Sequence, residues 1–152
     1  MLMSAAGPSI ETLLSAVRQR AERAGVFAGT EVRAGGLVCR AKAAAAPASY
    51  RLGEEGGRVW VSLVTADRWL SESIEADLMH TGDKIEDLLE EELVEQGLHG
   101  ERPAVEHFRS DDLLFTFRTP VPVVEAGRVG AYLLAYEACF RRLGDMEAGE
   151  EG

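Results

Sequence analysis

Side chains able to do chemistry are few in this chain, and they are scattered. Asp77 and His80 stand three apart, a spacing that puts two metal ligands on one helix face. No other segment repeats an acid-x-x-His to complete a ligand set, so His80 reads as a surface or capping residue. His99 lies near a glycine-flanked loop, and His107 alternates with Val105, which reads as a satisfied strand residue. Cys39 falls in an expected strand and Cys139 in an expected helix, each beside apolar neighbours; buried free thiols are expected rather than a bridge. Gly127-Arg128-Val129-Gly130 is half of a dinucleotide fingerprint, and it follows Pro-Val-Pro instead of opening a βαβ unit. There is no phosphate-binding glycine loop, no G-x-S-x-G elbow, no H-E-x-x-H and no cysteine pair at metal spacing. The expectation is a non-catalytic protein without metal or cofactor. The runner-up is a small enzyme or ligand-binding domain with a pocket between sheet and helices, drawing on Asp77, His80 or His107.

Charge is the stronger signal. The net charge of −10 is uneven: residues 1–66 carry 5 acids and 8 bases, 67–97 carry 11 and 2, and 98–152 carry 10 and 6. Such a middle segment repels phosphate backbones and anionic membrane surfaces, so nucleic acid and membrane are excluded as expected partners. Acids at i,i+4 spacing, such as Glu86 with Glu90, Asp87 with Glu91 and Glu91 with Glu95, each cost a helix a few tenths of a kcal/mol. Either they form a solvated face, or their field attracts a partner with a basic segment.

The elements that must carry these residues follow from periodicity. Ile10, Leu13, Leu14, Val17, Ala21 and Ala24 recur at helical spacing, with Pro8 or Ser9 at the start and Gly25 as the stop. Alternation replaces that period at Leu37–Lys42, with Gly35-Gly36 able to turn the chain back onto Glu31–Arg33. Residues 43–47 read as a loop or irregular edge. Ala48, Tyr50 and Leu52 then alternate up to a Glu54–Gly57 turn, and Arg58–Thr65 is apolar on both faces, as a central strand would be. Thr65 can cap a helix over 66–80 anchored by Trp69 or Leu70, Ile74 and Leu78. Asp83, with Glu86 three on, can start another, striped by Ile85, Leu88, Leu89 and Leu93. A hairpin is expected over 104–109 and 112–119, with Leu113, Phe115 and Phe117 inward and Pro120 and Pro122 ending the sheet. The last helix, about 125–143, pairs an aromatic stripe with a small-residue row of Gly127, Ala131, Ala135 and Cys139.

The fold class expected is α+β: one twisted antiparallel sheet of about five strands with helices packed on it, in the order α-β-β-β-α(α)-β-β-α. Residues 1–146 would form one domain, and 147–152 an acidic disordered tail. Met1–Gly7 has neither a basic residue nor an apolar run, and no segment reaches the roughly 20 apolar residues of a membrane span; a cytoplasmic protein is expected.

That order, over residues 9–143, resembles type III secretion chaperones and the YbjN-type regulators similar to them in fold. The likeness lies in topology and composition, not in a motif. It implies helices packed on an antiparallel sheet, commonly a homodimer, binding other proteins through exposed sheet and helix surfaces. The helical block interrupted at Gly82 departs from the single helix usual there. On the residues themselves, Trp60, Ser62 and Val64 share one strand face with Leu114 and Thr116 beside it, either part-exposed or buried by a second layer such as the first helix. The expected partner-binding set is Trp60, Val64 and Trp69 with Glu86, Asp87, Glu90 and Glu91 nearby. The expected homodimer seam is Gly127, Ala131 and Ala135.

Overall fold

The computed structural model describes residues 10–33, 35–42, 47–82 and 84–143. Helix α1 (Ile10–Ala24) leads into strands β1 (Phe27–Arg33), β2 (Gly36–Ala41), β3 (Ala48–Glu55) and β4 (Arg58–Thr65). Helices α2 (Arg68–Thr81) and α3 (Ile85–Glu95) follow, then β5 (Glu106–Arg109), β6 (Phe115–Pro120) and α4 (Ala126–Arg141). The fold is α+β, with one antiparallel sheet of six strands in the order β1-β2-β3-β4-β6-β5. The extra strand is β1. Its pairing from Phe27↔Ala41 to Arg33↔Gly36 extends the short pair expected at Glu31–Arg33, so four strands, not three, precede the helical block.

Local chemistry sets the joints. Gly56 and Gly57 both have positive φ (62° and 79°), the conformation a two-residue hairpin turn needs to match strand twist, and Glu55 pairs with Arg58 across it. α2 is capped by Asp67, whose carboxylate accepts from the Leu70 N–H, while Thr65 Oγ1 accepts from the Asp67 N–H one step earlier. Gly82, at φ 77°, ends α2 by donating to the Leu78 carbonyl at 2.9 Å. The expected cap Asp83 lies outside the described residues; the N-cap of α3 is Lys84, with no side-chain bond. The expected acidic tail and residues 43–46 are likewise outside them.

All four helices lie on one side of the sheet. Leu37, Cys39, Tyr50, Leu52, Val59, Val61, Leu63 and Phe117 point to that side and merge with Leu13, Leu14 and Val17 of α1, Leu70 and Ile74 of α2, Leu89 and Leu93 of α3, and the length of α4 in one core. α4 is the central element, in contact with α1, α3, β3 and β4. Within it, Tyr136 shares a 2.7 Å hydrogen bond with Thr119, the means by which a buried hydroxyl pair avoids the cost of desolvation. β4 sits between β3 and β6, the central place its two apolar faces predict.

The hairpin differs from expectation. Leu113 is not on an inward face: it occupies the turn at φ 65° and is 60% exposed, while Phe117 and Thr119 supply the core side of β6. The Leu113 N–H donates to the Ser110 carbonyl, and the Ser110 N–H to the Leu114 carbonyl, a tight loop that forces the left-handed position onto a leucine. Burial pushes the thiols of Cys39 and Cys139 up to about 12, and neither is bridged.

Candidate functional site

The face of the sheet turned away from the helices is built by the alternate residues of every strand. Cross-strand pairing sets Val38 beside Arg51, Arg40 beside Ser49, Arg51 beside Ser62, and Val64 beside Thr116; Phe108 and Glu106 of β5 lie opposite Thr116 and Arg118. α1, the second layer offered for this face from the sequence, packs instead against α4, β1 and β2 on the core side. A shallow groove of about 450 Å³ runs over the open face, walled by Arg51, Trp60, Val64, Phe108 and Thr116.

The groove has a rigid rim. The Arg118 guanidinium lies 3.9 Å from the centre of the Trp60 ring and 5.0 Å from that of Phe108, a stack that holds cation and aromatics together. Its Nε donates to Glu106 at 2.9 Å, and it pairs with Glu55 at 2.5 Å. Trp60 Nε1 donates to the Glu55 carbonyl at 3.0 Å, which fixes the indole. The β5–β6 turn borders the groove through Ser110, Asp111 and Asp112, with exposed Leu113 at its tip. A leucine in the left-handed region costs about 1–2 kcal/mol, a strain that glycine would avoid.

The expected binding set does not form one site. Trp60 and Val64 are on the open face, though Val64 is only 6% exposed, packed among its neighbours. Trp69 is on α2 in the helix layer, 77% exposed, with Leu70 taking the anchoring place beneath it. Glu86 is half-buried and Asp87, Glu90 and Glu91 are exposed on α3, which packs on α4 through Leu89 and Leu93. The acids therefore stand on the other side of the sheet from Trp60, because both amphipathic helices turn their apolar stripes to the same core. The expected dimer seam is also corrected. Ala131 and Ala135 are 2% and 0% exposed inside the chain, where the small side chains let α4 approach its neighbours; of the three only Gly127 reaches the surface, its carbonyl accepting from Arg20 at 2.9 Å.

Two polar clusters bear on the runner-up. His107 stacks on Phe117 (3.8 Å, 8° between planes), with Nδ1 2.8 Å from Glu75 and Nε2 3.3 Å from Ser71 Oγ. Serine, imidazole and carboxylate thus stand in the order of a hydrolytic triad, joined only because α2 crosses β5. Ser71 is 3% exposed, so a substrate has no approach to its oxygen. Burial holds the His107 pKa below its ordinary 6.5, against the opposing pull of Glu75. The second cluster borders a cleft of about 590 Å³ between the β3–β4 turn, the 100–104 loop and the 120–124 loop. There Glu101 accepts from both Tyr132 and Arg128; burial raises its pKa, but these bonds outweigh burial and hold it below the usual 4.5. Glu101 satisfies Tyr132 and Nη1 of Arg128, whose Nε is shielded without a partner, and these bonds pin the loop to α4. Asp77 and His80 join neither cluster; among the described residues no three His, Cys, Asp or Glu side chains converge as a metal site. No described helix is long and apolar enough to cross a membrane.

The chain matches no family model, no curated protein and no solved structure among those compared.

Proposed function

We propose that this chain is a non-catalytic protein-binding module, chaperone-like or regulatory, that engages its partner through the uncovered sheet face. The observation that carries the reading is the one-sided covering of the sheet. Four helices occupy one face, while the other holds a part-exposed row of Trp60, Val38, Phe108 and Leu114 around a stacked arginine. Large apolar side chains left uncovered on one face, interleaved with polar groups, are a mark of interaction sites. The resemblance to secretion chaperones and YbjN-type regulators, which bind proteins through such surfaces, supports it, although four strands before the helical block depart from their order. The exposed acids of α3 supply a second surface, suited to steering a basic segment of a partner. A homodimer fits the reading, with its interface off the buried row of α4.

The test is a photo-crosslinking residue in place of Ser62, at the centre of the open face, with the same residue at exposed Gln19 of α1 as control. A protein adduct formed from position 62 and absent from 19 is the expected result; equal or no adducts remove the reading. Reversal of Glu86, Glu90 and Glu91 to Lys is expected to leave thermal stability within a few degrees and to weaken the adduct-forming partner. Unchanged affinity would reduce the α3 acids to a solubility device.

A hydrolytic reading has one observation in its favour, the Ser71–His107–Glu75 alignment. Labelling by a fluorophosphonate that disappears in Ser71→Ala would replace the binding reading with it.

A further inference from the structure

The open face differs in charge from the rest of this acidic molecule. Its outward residues include Arg33, Arg40, Arg51, Arg58 and Arg118 against Glu31, Glu55 and Glu106. Two of these bases are spoken for: Arg33 pairs with Glu31 at 2.9 Å, and Arg118 with Glu55 and Glu106. Arg40, Arg51 and Arg58 make no ion pair among the described residues; Arg58 is at the β3–β4 turn, and Arg40 and Arg51 lie together on the adjacent strands β2 and β3. Arg51 is half-buried in the groove, and its Nε is shielded from water with no hydrogen-bond partner. No hydrogen bond or ion pair among the described residues holds this guanidinium, and arginine suits carboxylates because the fork it presents meets both oxygens at once; with Nε shielded, the two Nη atoms make that fork. Arg40 extends its guanidinium over Gly29, where an added Cβ would lie 2.6 Å from Nη2. Both cations therefore lie on this face rather than reaching to the acids of the helix layer.

We propose that the open face seats an acidic, extended segment of another protein, with carboxylates on Arg51 and Arg40 and apolar side chains against Trp60 and Phe108. The inference rests on the open face being the docking surface. Charge complementarity selects the occupant at the β2–β3 end of the face, where Arg40 and Arg51 border one depression with no acid in its lining, while Asp111 and Asp112 stand at the far end on the β5–β6 turn. From β2 to β5 the face spans five strands, about 19 Å at the usual strand spacing, which an extended chain crosses in about six residues.

The chain carries two tryptophans, and exposed Trp69 lies in the helix layer, so Trp69→Phe leaves Trp60 as the sole reporter in the groove. The probe is a peptide of alternating Glu and Leu, with alternating Lys and Leu as its counterpart, titrated against the Trp69→Phe protein at several salt concentrations. Saturable change in Trp60 emission by the Glu peptide alone is expected, weakened by salt and at least tenfold weaker in Arg51→Gln or Arg40→Gln. Arg33→Gln, which removes a base already paired, is expected to bind within about twofold of the parent. Circular dichroism identifies any variant that fails to fold; Arg40→Gln then serves in place of Arg51→Gln, since Arg40 is exposed. Equal response to the Lys peptide, or Glu-peptide binding untouched by both arginine substitutions, overturns the proposal. A silent Trp60 overturns it as well. If position 62 still cross-links another protein in that case, the docking face stands and only the acidic occupant is wrong. If the cross-link joins two copies of this chain, the occupant is a second copy. Silence in both experiments removes docking face and occupant together.

Discussion

The two sides of strand β4 are built from the same few residue types and have opposite fates. Val59, Val61, Leu63 and Thr65 are sealed under α4 and its neighbours; Trp60, Ser62 and Val64 look away from every helix. On the sealed side apolar chains fill space, and a buried polar pair, Thr119 with Tyr136, is closed on itself. On the open side polar and apolar groups are interleaved, and order comes from the Arg118 stack and its two carboxylates. The difference teaches that an apolar outward face does not by itself reveal a second layer. Burial of Val64 to 6% is achieved by its neighbours within the sheet, while the indole beside it is held by a cation and a carbonyl.

The contrast can be broken most severely at the sealed side. Ala135→Trp adds an indole to a fully buried position of α4, and a loss at or above the upper end of the roughly 1–3 kcal/mol typical of overpacking is expected in urea unfolding. A stable, folded variant would return Ala135 to the surface and to the dimer seam. Next in size, Leu63→Ala is expected to cost about 2–5 kcal/mol as a core truncation, while Ser62→Ala one residue away stays within about 0.5 kcal/mol. Equal costs would mean that something covers the open face. Leu113→Gly relieves a left-handed leucine and is expected to raise stability by up to about 1 kcal/mol while lowering the yield of the position-62 adduct. A loss of stability would show that the leucine packs within the fold.

The smallest effect concerns the α2–β5 contact. With the folded pKa of His107 below 6.5, the neutral ring favours the fold. Its contribution is complete above about pH 6.5, fades as pH falls through that value and is gone below the folded pKa. A modest fall in Tm between about pH 7.5 and pH 5.5, diminished in His107→Gln, is expected by differential scanning calorimetry. An unchanged slope in the variant would assign the pH dependence elsewhere.

Much of the fold was legible locally. Helical stripes located α1, α3 and α4, and alternation located β2, β3 and β4, because 3.6- and 2-residue periods are written in the burial each element requires. The edges were harder. β1 is half of a hairpin whose residues Thr30–Arg33 carry little apolar signal, and the start of β6 was read three residues too early because Leu113 looks like a strand residue and behaves as a turn. Of the candidate site, Trp60 and the Val38/Arg40 alternation were visible in the sequence. The stack on Arg118, the alignment of Ser71 with His107, and the separation of Trp60 from the α3 acids were not, since each joins residues from distant parts of the chain.

The sequence by itself determined the α+β class, the central place of β4, the acidic middle segment and the lack of a known catalytic motif, all consequences of residue type and short-range spacing. Only the tertiary structure decided which face of each element found a partner. The four apolar helix surfaces converge on one side of the sheet, so the small-residue row of α4 became core and the Trp60 face stayed open. That choice depends on how the elements stack in space, a long-range property that no window of the sequence contains.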